Sequence, residues 1–211
     1  MSLVTRVLVV AATVASIGVG VIGAAEASPN PGTRIGVHTT TEVASAEQLQ
    51  AAALREKIVK IAQRELAATS HNKEVGTNCN YYSGKIGSGT KCANGWRAEA
   101  WCADFLEFVW KEAGVNVSGI TPAAASLYSY GKAHRTWNSG SSTTGVKPGD
   151  AVVYNLNANG TWASHVGIVT KVSGGKITVI SGNSGPKTDR VHELPLGKPS
   201  GTVSGYTAPV A

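Results

Sequence analysis

The second half of the sequence is a series of short β-branched runs, and this pattern restricts the fold more than any other feature. The runs "PGDAVVYNL", "SHVGIVTKV", "KITVISGN" and "RVHELPL" follow Thr144 and are separated by Gly, Asn and Pro. Such spacing predicts consecutive strands of an antiparallel sheet, with "VSGYTAPV" as a final strand. The preceding part has helical periodicity instead, so we predict an α+β fold in which N-terminal helices pack on one face of an antiparallel β-sheet.

Two longer helices are predicted ahead of the strands. The first begins at Ser45, a capping residue, and has an apolar face at helical spacing, formed by Leu54, Ile58, Ile61 and Leu66. The second contains Cys102, ends at Gly114, and has a stripe predicted to be buried, formed by Phe105, Leu106, Val109, Trp110 and Ala113. The intervening residues 69–100 are predicted to be irregular, and "ITPAAASLYSYGKA" predicts a further short helix near Pro122.

The N-terminus has the anatomy of a secretory signal peptide. Arg6 precedes an apolar run from Val7 to Ile22, and small residues at Ala25 and Ala27 form a cleavage site. A transmembrane anchor is the alternative, but the run is short for a span. We therefore expect a signal peptide over residues 1–27, a leader over 28–44, a main domain over 45–211, and a secreted protein that is extracellular or cell-wall associated.

The charge of the chain favours some partners over others. The formal net charge is +6, which attracts a secreted protein to anionic surfaces such as a bacterial cell wall. Nucleic acid is not expected as a partner, because the cations are scattered and form no dense basic stripe. We expect no membrane association after signal cleavage, and we expect a monomer.

The three cysteines are predicted to form one disulfide and leave one thiol. Cys79 and Cys92 flank the flexible segment "NYYSGKIGSGTK", so a bridge between them is expected in an oxidising compartment. Closing that loop stabilises the fold by about 3 kcal/mol in the chain-entropy model. Cys102 then stays free. The spacing of the three cysteines matches no usual zinc pattern, so no metal is expected.

The free cysteine has two interpretations, a small core residue or a nucleophile. Cys102 lies at the start of its helix, where unpaired N–H groups lower a thiol pKa and stabilise a thiolate. His165 begins a strongly apolar strand directly after a polar loop, a position that holds a base rigidly within reach of substrate. Asn183 ends the next strand, which a turn at "SGG" joins to the first. Asn183 is therefore predicted to lie beside His165 and to orient its ring through a hydrogen bond.

The motifs "WCADFLEFVWKEAGV", "PGDAVVY", "SHVGIVTKV" and "ITVISGN", in this order, resemble the CHAP family of cysteine, histidine-dependent amidohydrolases/peptidases, which is related to NlpC/P60. The resemblance covers roughly residues 50–210, and "REKIVKIAQREL" also fits. It implies a papain-like fold, a catalytic domain over 45–211, and hydrolysis of amide bonds in peptidoglycan or its stem peptides. Carried over by position, Cys102 is the nucleophile, His165 the base and Asn183 an orienting residue.

The sequence also departs from the family pattern. Many members have a glutamate two residues before the asparagine, where this chain has Ser181. Some members bind calcium through an Asp-rich loop before the cysteine. The segment "HNKEVGTNCNYYSGK" contains no Asp, so we expect neither calcium nor any other cofactor here.

Two functions remain open at this point. The first is a cysteine amidase or endopeptidase, and the second is a catalytically idle wall-binding or extracellular matrix protein with the same fold. Tyr81 and Trp162 are candidates for substrate contact, whereas Trp96, Trp101 and Trp137 are equally compatible with a core.

Overall fold

The computed structural model describes residues 39–199 and 202–211, without the side chains of residues 39–45 and Leu196. The predicted signal peptide and most of the predicted leader lie outside the described residues. No helix within the described part is long and apolar enough to cross a membrane.

The first helix, α1, spans Thr39–Ala67 and begins earlier than predicted. The expected start at Ser45 was wrong because no glycine or proline interrupts the chain between Thr39 and Ala67, so the helix continues N-terminally past the capping residue. Its apolar face is confirmed: Ile58 and Ile61 are buried, and Leu54 and Leu66 pack against the core.

The segment predicted to be irregular contains small elements. Helix α2 spans Tyr81–Ile86, and a three-stranded sheet has the order β1-β3-β2, with β1 at Cys79–Asn80, β2 at Thr90–Lys91 and β3 at Arg97–Ala98. Elements of two to six residues are too short to show a periodic pattern, so the sequence did not reveal them. The buried Asn80 caps α2 by accepting a hydrogen bond from the Ser83 N–H at 2.8 Å. The predicted disulfide between Cys79 and Cys92 is confirmed.

Helix α3 spans Cys102–Ala113 and is followed by Gly114, as predicted. All five residues of its predicted stripe are buried. The short helix predicted near Pro122 is present as α4, Ser126–Ala133, so Pro122 lies in the segment that precedes it.

The strands form one antiparallel sheet of six, which together with the helices confirms the α+β class. Its order is β4-β9-β5-β6-β7-β8. The predicted strands are β5 to β9, whereas β4 was not predicted because its three residues "WNS" lack an alternating pattern. Their bounds are Trp137–Ser139 for β4, Ala151–Tyr154 for β5, His165–Ser173 for β6, Lys176–Ser184 for β7, Arg190–Gly197 for β8 and Val203–Thr207 for β9.

The two faces of the sheet belong to different apolar clusters. Val166, Ile168 and Ile180 join α1 and α3 in the main core. The alternate residues of the same strands, such as Val169 and Val179, form a smaller cluster on the other face. The hairpin between β6 and β7 turns at Gly174 and Gly175, both with positive φ, which is the backbone a tight two-residue turn requires.

Candidate active site

Cys102 is the first residue of α3, and its neighbour Trp101 anchors this end of the helix. The Trp101 side chain is fully buried and stacks on Tyr82, with ring centroids 5.5 Å apart. Its Nε1–H donates a hydrogen bond to the Glu74 carboxylate at 3.1 Å. A buried indole with its polar hydrogen satisfied fixes the position of the residue that follows it.

Strand β7 lies unusually close to this helix start. A Cβ added at Gly182 would lie 2.5 Å from the Phe105 Cβ and 2.6 Å from the Trp101 ring. Glycine is therefore the residue that allows α3 to pack directly on the sheet here. The close approach brings the Cys102 end of the helix next to the strand that carries Asn183.

The Cys102 thiol is the one free thiol in the chain and is only 7% exposed. Burial raises the pKa of the thiol, and the Asp104 charge adds to this, whereas the backbone N–H groups of Val166 and Ala103 oppose it by donating to the sulfur. The predicted lowering of the thiol pKa was therefore wrong. Removal from water outweighs the helix terminus because a thiolate loses more hydration than these N–H groups restore.

His165 starts β6 and is directly followed by Val166, whose N–H approaches the sulfur. It pairs with Tyr154 of β5, and the two rings lie 5.9 Å apart between centroids. No described residue forms a hydrogen bond with the His165 ring, so none joins it to the thiol. Burial lowers the pKa of His165 to about 4, so the ring is neutral at pH 7.

Asn183 lies near the end of β7, at an irregular point of the β7–β8 pairing, and has φ of 50°. The β6–β7 ladder pairs Ile168 with Ile180, and this register continued toward the strand ends would place Asn183 opposite His165. The predicted hydrogen bond between these two side chains is not present, and the orienting role of Asn183 stays a prediction. Ser181, at the position of the family glutamate, is fully buried, and its hydroxyl has no described hydrogen-bond partner.

The two aromatic residues predicted to contact substrate have different surroundings. Trp162 is 58% exposed, in a turn three residues before His165 that the Asn157 side chain closes. Tyr81 is half-buried, with its ring 4.1 Å from that of His71 between centroids and Lys85 above it. Trp162 is thus the more accessible of the two. Among the other tryptophans, Trp101 is fully buried, whereas Trp96 and Trp137 are half-buried.

Two carboxylates beside the nucleophile candidate were not predicted from the sequence. Asp104, in the first turn of α3, is fully buried, and Glu99 precedes the helix and interacts with it. No sequence signal marked this pair, because the fold rather than a motif brings Glu99 to Asp104. Within the described ranges, no group of three or more His, Cys, Asp and Glu residues could hold a metal ion.

Comparison with known proteins identifies the central part of this arrangement. Residues 92–183 match the CHAP domain. The resemblance drawn from the sequence motifs is thereby confirmed, and the matched segment contains Cys102, His165 and Asn183. The match supports a peptidoglycan-related amidase or peptidase family.

The solved structure of NlpC1 from Trichomonas vaginalis is similar over 73% of this chain and 43% of that chain, with 14% sequence identity and a TM-score of 0.41. This chain thus spans less than half of that protein. No curated protein matches the sequence.

Proposed function

We propose that this protein is a secreted cysteine hydrolase that cleaves amide bonds of bacterial peptidoglycan, with Cys102 as nucleophile, His165 as general base and Asn183 as orienting residue. The observation that carries the proposal is the position of the one free thiol. Cys102 begins α3, and the N–H next to its sulfur belongs to the residue after His165. The CHAP match over residues 92–183 supports the same assignment.

The protonation states define how the reaction starts. At neutral pH the thiol is protonated, because burial raises its pKa, and the imidazole is neutral, because burial lowers its pKa. His165 therefore takes the thiol proton as Cys102 attacks, instead of sharing a preformed ion pair with it. Catalytic hydrogen bonds are often long until substrate binds, so the missing ring–thiol contact is compatible with this step.

The remaining steps follow from the same groups. The sulfur attacks the amide carbonyl, and the backbone N–H of Cys102 at the helix start stabilises the oxyanion. His165 then donates the proton to the leaving amine as the C–N bond breaks. Water, deprotonated by His165, attacks the thioester, and the acid product leaves while the thiol regains its proton.

We assign substrate contact to two aromatic residues, Trp162 and Tyr81. Trp162 follows β5 in the loop before His165 and offers an accessible ring to sugar or peptide. Tyr81 is a second candidate, although its ring already contacts His71 and Lys85. The positive net charge favours approach to an anionic wall.

Digestion of purified peptidoglycan, followed by mass analysis of the soluble fragments, tests this proposal. Cleavage between muramic acid and alanine would identify an amidase. New termini within stem peptides or cross-bridges would identify an endopeptidase. His165→Gln should abolish release, whereas His192→Gln, a matched change on β8, should not. If the Cys102 thiol of the protein is intact and no fragments are released, the result would favour the alternative, an idle wall-binding protein.

A further inference from the structure

Asp104 connects the start of α3 to α2 and to the segment that follows α2. Its carboxylate is fully buried, and Oδ2 accepts hydrogen bonds from the hydroxyls of Ser83 at 2.5 Å and Ser88 at 2.6 Å. Ser83 belongs to α2 and Ser88 follows it, so both contacts cross from that region to the helix of Cys102. The second oxygen, Oδ1, is enclosed and has no hydrogen-bond donor among the described residues.

Glu99 presents a second enclosed carboxylate oxygen at the same place. Its Oε1 is buried and also lacks a described donor. The Glu99 carboxyl group interacts directly with that of Asp104 and with the Ser88 hydroxyl. Two ionised carboxylates that interact repel each other, and a proton or a cation between them would relieve this repulsion.

The neighbouring groups favour a proton. The Ser83 and Ser88 hydroxyls both donate to Oδ2 of Asp104. Calcium takes six to eight oxygen ligands, and no group of three or more His, Cys, Asp and Glu residues in the described ranges could hold a metal ion. Burial, together with the charge of Asp104, raises the pKa of Glu99, and Ser88 and Arg97 oppose this. The Arg97 guanidinium is already engaged by the carbonyls of Ser88 and Gly89.

We propose that Glu99 retains a proton that it donates to Asp104, and that this acid pair is a positioning element for Cys102. The pair holds the first turn of α3 against α2 and limits the negative charge beside the thiol. That charge acts on two neighbours of Asp104 on the same helix, since it raises the pKa of both Cys102 and Glu107. Only the link to catalysis rests on the proposed function.

Thermal unfolding from pH 5 to 8, in EDTA, tests the shared proton. Because Glu99 holds its proton in the folded state above the pH at which the unfolded chain loses it, the stabilisation is present at low pH and is lost as pH rises through the raised pKa. In Glu99→Gln the amide donates permanently, so wild-type Tm should fall relative to this variant as pH rises. Glu99→Ala should melt below Glu99→Gln throughout, and Glu193→Gln, an exposed control on β8, should follow wild type.

Two results would overturn the shared proton. The first is a difference in Tm between wild type and Glu99→Gln that stays constant from pH 5 to 8. The second is a rise in wild-type Tm when EDTA is replaced by about 1 mM calcium chloride at about pH 7.5, a rise that Glu99→Gln does not show, since calcium would then occupy the space between the carboxylates.

Iodoacetamide alkylation of Cys102 against pH tests the positioning role. Asp104→Asn and Glu99→Gln should both move the midpoint of the thiol titration to lower pH, because at the alkaline pH of this titration wild-type Glu99 has lost its proton and each substitution removes one carboxylate charge near the sulfur. Glu99→Ala should move the midpoint in the same direction but less than Glu99→Gln, because the alanine cannot donate a hydrogen bond to the Asp104 carboxylate. Identical midpoints in all four proteins would refute the inference. Alkylation needs no substrate, so a protein inactive on peptidoglycan that shows these shifts would refute the proposed function alone.

Discussion

The neutral state of the half-buried His165 ring makes the stability of the protein depend on pH in a defined way. In the unfolded chain the imidazole has its ordinary pKa of 6.5, and in the folded protein burial lowers this to about 4. Between these values the unfolded state binds a proton that the native state does not. Stability contributed by the neutral ring is therefore complete above pH 6.5 and is lost as pH falls toward 4.

The size of this effect follows from the same two values. Each pH unit between them corresponds to about 1.4 kcal/mol, so the full loss is at most about 3 kcal/mol. The figure is an upper bound because the ring is half-buried and remains in partial contact with water.

Urea unfolding of wild type and His165→Gln at pH 4, 5, 6 and 7.5 measures the effect directly. The difference between the two proteins isolates His165, because every other titrating group is common to both. The free energy of unfolding of wild type, relative to the variant, should rise by up to about 3 kcal/mol from the most acidic to the most alkaline condition. A constant difference would show that His165 is protonated as readily in the folded as in the unfolded chain, and would refute the neutral-base mechanism.

Three further changes have defined outcomes. Asn183→Ala should lower peptidoglycan hydrolysis less than His165→Ala, because proton transfer by a general base contributes about 100- to 10,000-fold; equal losses in kcat would show that Asn183 does more than orient a ring. Gly182→Ala should destabilise the fold by about 1–3 kcal/mol through overpacking. The control Gly197→Ala should not, because a Cβ there meets no atom closer than 3.6 Å. Equal melting temperatures for the two variants would contradict the close approach of α3 to β7. Secreted protein should begin near Ser28, and N-terminal sequencing that found the apolar run retained would exclude cleavage there.

The sequence predicted those parts of the fold that depend on local patterns. Helix α3 with its five-residue stripe, the β6–β7 hairpin and the disulfide follow from periodicity, turn residues and loop length. The pairings of β9 with β4 and with β5 join segments that are far apart in the sequence, and local patterns do not reveal such pairings. Strand β4 itself has only three residues, too few to show a strand pattern.

The sequence predicts which residues form the candidate site, and their catalytic roles stay predictions, whereas the electrostatics of the site could not be predicted from the sequence. Cys102, His165 and Asn183 follow from motif order and from the hairpin register. The raised pKa of the thiol depends on how completely α3 packs on the sheet at Gly182, which is a tertiary property. The same holds for Glu99, which meets Asp104 only because the three-stranded sheet returns the chain to the start of α3.

Replacement of Cys102 by serine tests the central claim most directly. Peptidoglycan clearing and thermal melting are measured on wild type and Cys102→Ser. A nucleophilic role predicts a variant that folds, with a loss of stability below about 1.5 kcal/mol, and that has lost nearly all hydrolysis, because a serine hydroxyl is far less acidic than a thiol. A stable variant that clears peptidoglycan as fast as wild type would show that Cys102 is a structural core residue and that the assigned mechanism is wrong.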